Sequence, residues 1–226
     1  MKTIKLVTFA VFAGAVALGA AAPANASSGK MYGDPVAAAK YWQEQQYDDC
    51  VLMASADVIG EITGVAPTEE AIIAKAEATP STVGPGPIYT KPANPDDPDS
   101  GEGTSMQDVP RLLSQYKIKA VITDKDDAAE SGIPTGMTAL EHALGGDHKV
   151  IVSVNAELIW HEPVEDKDKK GNPEANHAVV VTGVDTAHDV VHLNDSGSSE
   201  GRDAQVPMRL FVRAWDASDD EMVVTN

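Results

Sequence analysis

Three β-branched runs in the last third of the chain constrain its fold most. Lys149 to Asn155, His177 to Val184 and Val190 to Asn194 are rich in valine and isoleucine and are separated by turn-forming residues. That is the composition of strands. Val184-Asp185-Thr186-Ala187-His188-Asp189 turns the second run back on the third, so the two are expected as a hairpin. Upstream the apolar period becomes helical. Val51, Leu52, Val58, Ile59 and Ile62 follow it from Cys50 onward, and Gly64 is the stop signal. Pro67-Thr68-Glu69-Glu70 opens a second helix with acids at its positive end, and Ser105 has the N-cap character of a third that runs through Tyr116. Thr138 to Leu144 and Pro207 to Ala214 read as further helices, and Ala120 to Thr123 and Glu221 to Val224 as short strands. Helices that come first and an antiparallel sheet that follows define an α+β domain.

The segments outside these elements set the boundaries. Lys2 and Lys5, the apolar stretch Leu6 to Ala22 and the small-residue site Ala24-Asn25-Ala26 have the pattern of a secretory signal over residues 1–26. Cleavage after Ala26 would leave 200 residues, the size of one domain. Residues 27–40 are expected as a short lead, loose from Ser27 to Pro35, with a helical start over Val36 to Gln46. The domain itself is expected over 41–226. Thr79 to Gly103 carries six prolines, four glycines and an aspartate cluster, Asp96, Asp97 and Asp99, and reads as a long surface loop. Its glycine and acid offsets are not those of a calcium loop. No stretch after the signal reaches the ~18 apolar residues of a membrane span, and Glu165 to Asn176 is a second exposed, charged loop.

Charge excludes whole classes of partner. The full chain has a net charge of −18, which becomes −20 without Lys2 and Lys5. Such a surface repels nucleic-acid phosphates and anionic lipid. The expectation is a secreted, extracellular, monomeric protein that uses no cofactor and binds neither nucleic acid nor membrane.

Cys50 is the only cysteine, so it has no partner for an internal disulfide. It stands where Gln43-Glu44-Gln45-Gln46-Tyr47-Asp48-Asp49 gives way to the first helix. A helix N-terminus favours an anion, and a nearby histidine can take the thiol proton; both make a nucleophile of a group whose ordinary pKa is about 8.5. His177 begins a strand, where its ring can project from the end of the sheet. The hairpin returns the chain after Leu193 to the same end, so Asn194 or Asp195 could hold the ring. Adjacent strand residues face opposite ways, and only one can serve. Gln43, Gln45 and Gln46 crowd the window from which a side-chain amide could stabilise an oxyanion, and Asp48 or Asp49 could cap the helix. His188 and His192 have the spacing of a helical zinc motif. On a strand they would stand about 13 Å apart, too far to share one ion, so no metal site is expected.

Together, the glutamine-rich lead, Asp49-Cys50 before an apolar helix, His177-Ala178-Val179-Val180-Val181-Thr182-Gly183 and Asn194-Asp195-Ser196 resemble the papain-like cysteine peptidases related to bacteriocin-leader-processing (double-glycine) proteases. The likeness spans about Tyr41 to Asn226. It implies a helical part with the nucleophile at a helix start, packed on a C-terminal antiparallel sheet. It further implies Cys50 as nucleophile, His177 as base, Asp195 as orienter with Asn194 in reserve, and a glutamine as oxyanion donor. Peptide or protein would be the substrate, and cell-wall peptide bonds or a binding module without turnover are the alternatives. Two positions depart from the family pattern. Glu44 stands six residues before the cysteine, which leaves Gln45 or Gln46 as donor, and Val51 replaces the glycine that commonly follows it.

Overall fold

The computed structural model describes residues 29–94, 101 and 103–226. The expected signal at 1–26 and the aspartates Asp96, Asp97 and Asp99 lie outside the described residues. Seven strands form one sheet: β1 (Met31–Gly33), β2 (Ala120–Thr123), β3 (Val150–Val154), β4 (His177–Asp185), β5 (Val190–Asn194), β6 (Ala204–Pro207) and β7 (Met222–Thr225). All pairings are antiparallel, in the order β2-β7-β3-β4-β5-β6, with β1 added to β4. Eight helices accompany them among the described residues: α1 (Pro35–Ala38), α2 (Cys50–Thr63), α3 (Glu69–Glu77), α4 (Val109–Ser114), α5 (Lys125–Ser131), α6 (Met137–Gly145), α7 (Ala156–Ile159) and α8 (Met208–Trp215). The fold is α+β.

The two faces of β4 explain its unbroken apolar run. Ala178 and Val180 pack with Val51, Leu52, Ile59, Ile72 and Leu112 from α2, α3 and α4. Val179 and Val181 turn the other way, to Leu140, Phe211 and Trp215 from α6 and α8. Helices therefore cover the sheet on both sides. Each fully buried valine or leucine contributes about 1.5–3 kcal/mol by leaving water, so this central strand is held firmly from above and below.

At the site end, α2 starts and stops where its residues dictate. Val51 through Gly60 are buried, which makes α2 the central helix of its layer. It ends at Gly64, whose φ of 84° is left-handed and whose N–H returns to the Gly60 carbonyl at 2.8 Å. Thr68 caps α3 as its sequence suggests, by accepting from the Ala71 N–H.

Several expectations are overturned. The loose lead is partly ordered: Met31–Gly33 pairs with β4, and Asp34 caps α1 by accepting from the Ala37 N–H at 3.0 Å. The helix expected over Val36 to Gln46 covers only α1 and a 3-10 turn, Ala39–Tyr41. At Trp42 the chain turns extended, with φ −58° and ψ 133°. The surface loop from Thr79 is not wholly on the surface, because Ile88 and Tyr89 enter the core. Three elements, α5, α7 and β6, had no distinct signal in the sequence.

Candidate active site

Cys50 is the first residue of α2 and is half-buried. Asp49 occupies the N-cap but makes no side-chain capping bond, contrary to the capping role its type suggested. The first turn is closed instead by the Asp49 carbonyl, which accepts from the N–H groups of Leu52 at 2.8 Å and Met53 at 3.0 Å. The Cys50 N–H has no partner among the described residues, so the positive end of the helix is open beside the thiol.

His177 opens β4 opposite Val154 of β3 and is 7% exposed. Its Nε2 lies 2.7 Å from Asp195 Oδ1. That contact leaves Nδ1 unengaged by Asp195, and the Cys50 side chain is close enough to the ring to act on its charge. Burial disfavours the imidazolium. The negative charge of Cys50, the Asp195 hydrogen bond and the Asp195 charge outweigh it and raise His177 to about 10. The ring is thus suited to carry the proton of the thiol.

Asp195 is positioned by more than the histidine. Trp160 Nε1–H donates to its Oδ2 at 2.8 Å and the Gly197 N–H to its Oδ1 at 2.9 Å, while Trp42 Nε1–H donates to its carbonyl at 2.6 Å. Burial alone would raise its carboxyl. The His177 bond and charge and the Trp160 and Gly197 donors prevail, and its pKa is lowered. An ionised Asp195 accepts from His177 Nε2–H. The Trp160 ring also covers His177, 5.2 Å between centroids and tilted by 57°.

Asn194, the reserve orienter, points elsewhere. Its Nδ2 donates to Asp57 Oδ2 at 2.8 Å and to the Ala38 carbonyl at 3.1 Å, which ties β5 to α2 and α1. The opposite facing of neighbouring residues separates the two side chains. Gly197 then approaches the imidazole so closely that a Cβ there would sit 2.9 Å from His177 Cε1.

The glutamines are placed differently from the expectation. Gln43 Nε2–H donates to the Pro67 carbonyl. The Gln45 amide donates to the Tyr47 carbonyl at 2.9 Å and accepts from Ser196 Oγ at 2.8 Å. Gln46 is exposed, and its backbone N–H donates to Glu69 Oε1. None of the three lines the cleft in which Cys50 and His177 meet. That cleft measures about 440 Å³, and its walls include Val51, Met106, Gln107, Asn176 and Glu221. Sequence reasoning missed Trp160 and Gln107. Trp160 lies 17 residues before His177, across a charged loop, and carried no local signal; Gln107 lay hidden among helix-start signals.

The histidines weighed as a zinc pair are held apart: His188 Nδ1 meets Asp185 and His192 Nδ1 meets Asp203, each at 2.7 Å. Among the described residues no helix is long and apolar enough to cross a membrane.

This architecture is a papain-like fold of the C39-peptidase type. A crystal structure from Bacillus anthracis, provisionally named a C39-like peptidase, superposes with a TM-score of 0.57 at 18% identity over 87% of this chain and 98% of its own. The chain belongs to a family of mycobacterial proteins. It is 62% identical over 221 residues to the uncharacterized protein Rv1268c of Mycobacterium tuberculosis, covering 98% of this chain and 95% of that one. A Mycobacterium bovis relative, also uncharacterized, matches equally. No family model matches the chain.

Proposed function

We propose that this protein is an exported cysteine hydrolase that cleaves peptide bonds through a covalent acyl-enzyme, with residues 1–26 as its export signal. The observation that carries the reading is the buried His177, held by Asp195 on Nε2 with its other nitrogen left for the thiol at the start of α2. The Cys50 thiolate attacks the scissile carbonyl carbon, and the carbonyl π pair moves onto oxygen. The open Cys50 N–H and the helix end stabilise that oxyanion. His177 gives its proton from Nδ1 to the leaving amine as the C–N bond breaks. Water, deprotonated by the same nitrogen, then attacks the thioester, and the acid leaves as the thiolate reforms. Asp195 keeps its own charge throughout and fixes the ring.

A binding module of the same fold is the second reading, favoured by the engaged Gln45 amide and its absence from the cleft wall. Incubation with a diverse peptide mixture, read by mass spectrometry, decides between them. New termini in wild type and none in Cys50→Ala support hydrolysis; no new termini, and iodoacetamide labelling at the rate of a free thiol, sink it. Release of soluble fragments from purified cell wall would direct the substrate search to wall peptides.

A further inference from the structure

Asp49 directly precedes the nucleophile, is 1% exposed, and neither of its carboxylate oxygens has a hydrogen-bond partner among the described residues. Two more unpartnered buried oxygens accompany it, Glu69 Oε2 from the start of α3 and the Tyr89 hydroxyl. The groups that face it are Glu69, Asp48 on its own segment and Lys91, with Tyr89 packed in the same acidic neighbourhood and Glu77 beyond. Cys50 follows it, and His177 from β4 stands beyond the thiol. Lys91 is half-buried and rides over the Tyr47 ring at 3.9 Å, and its charge acts on Asp49 less than burial, Glu69 and Asp48 do. A buried carboxylate without hydrogen bonds is far less stable than the neutral acid.

We propose that Asp49 is held as a neutral carboxylic acid and acts as a positioning residue for Cys50: uncharged, it leaves the positive end of α2 to the thiolate and the oxyanion, and ionised it opposes both. Burial, reinforced by the charges of Glu69 and Asp48, raises its carboxyl to about 8 against the lowering by Lys91 and its own backbone. Below that pH the acid is neutral; above it a new anion adjoins the nucleophile. The catalytic half of this inference rests on the nucleophile reading, while the neutrality of Asp49 does not.

The test is acylation of Cys50 by p-nitrophenyl acetate, corrected with Cys50→Ala, in wild type and Asp49→Asn. The isosteric amide should match wild type at pH 6 and react faster at pH 9 by about threefold or more. A faster variant at pH 6 overturns the neutral acid, and equal rates at pH 9 overturn the positioning role. If Asp49→Asn does not fold, wild-type protein carrying ¹³C at its aspartate carboxyls decides neutrality. The Asp49 Cγ signal, assigned through its own Cβ, should have the protonated shift at pH 6 and titrate near 8; a carboxylate shift at pH 6 refutes the proposal. Loss of the nucleophile reading shows separately, as free-thiol rates in both proteins with the carboxyl shift unchanged.

Discussion

His177 Nε2 and Asp195 Oδ1 are 2.7 Å apart, between a strand start and the residue that follows the neighbouring strand. The imidazole is therefore fixed with one nitrogen spoken for. Asp195→Asn keeps the shape and removes the charge that stabilises the imidazolium. The expected result is a fall in peptide-hydrolysis kcat of about 10²–10⁴. The rate of Cys50 alkylation at neutral pH should fall with it. An unchanged rate would refute the assignment of Asp195 as orienter.

Trp160 donates to the far oxygen of that carboxylate. A hydrogen bond to a charged group is worth about 1.5–3 kcal/mol. Trp160→Phe preserves most of the ring over His177 and deletes only the donor. Chemical denaturation should show a loss of that order near pH 7. Because Asp195 is held below its ordinary pKa, its share of stability is present above about 4 and is lost as pH falls through the folded-state value. The gap between wild type and variant should accordingly close in acid.

Gly197 stands where any side chain would strike the His177 ring. Gly197→Ala brings a methyl to 2.9 Å from both His177 Cε1 and Trp160 Cζ2. Overpacking of this kind costs about 1–3 kcal/mol. Circular dichroism should report a folded protein while Cys50 alkylation at neutral pH drops toward the free-thiol rate. Wild-type alkylation in the variant would mean that the ring tolerates displacement.

Asp57 is 4% exposed and accepts from Asn194 with one oxygen while the other has no partner. Burial, then the Glu61 charge, raise its carboxyl well above the ordinary value in spite of the Asn194 bond. The folded state thus holds a proton that the unfolded chain has released above about 4, and stability declines as pH rises through that window. Asp57→Asn removes the proton from the balance. Its melting temperature relative to wild type should rise from pH 5 to pH 8, and a pH-independent difference would contradict the neutral acid.

Much of this site was legible because its parts are local signals. Cys50 lies where polar residues meet an apolar helix, and His177 and Asp195 bracket a hairpin whose turn is written in Asp185 to Asp189. Asp195 over Asn194 needed the resemblance, since alternation separates the two without saying which faces the ring. The short elements were illegible for a different reason. Met31–Gly33 becomes a strand only because β4 offers it an edge, and Ala204–Pro207 likewise because β5 does. The fates of Gln45 and Asp49 depend on tertiary neighbours, Ser196 for the one and Glu69 and Tyr89 for the other.

The same apolar cluster that joins α2 to β4 carries Cys50 at one element's tip and His177 at the other's. The separation of sulfur and imidazole is consequently metered by side-chain volume a turn or two below them. Trimming Val180 or Leu52 by a methylene or two would let the two tips drift while the chain still folds cooperatively. In this molecule the first symptom of a loosened interior would be a misaligned pair of Cys50 and His177, well before any visible melting.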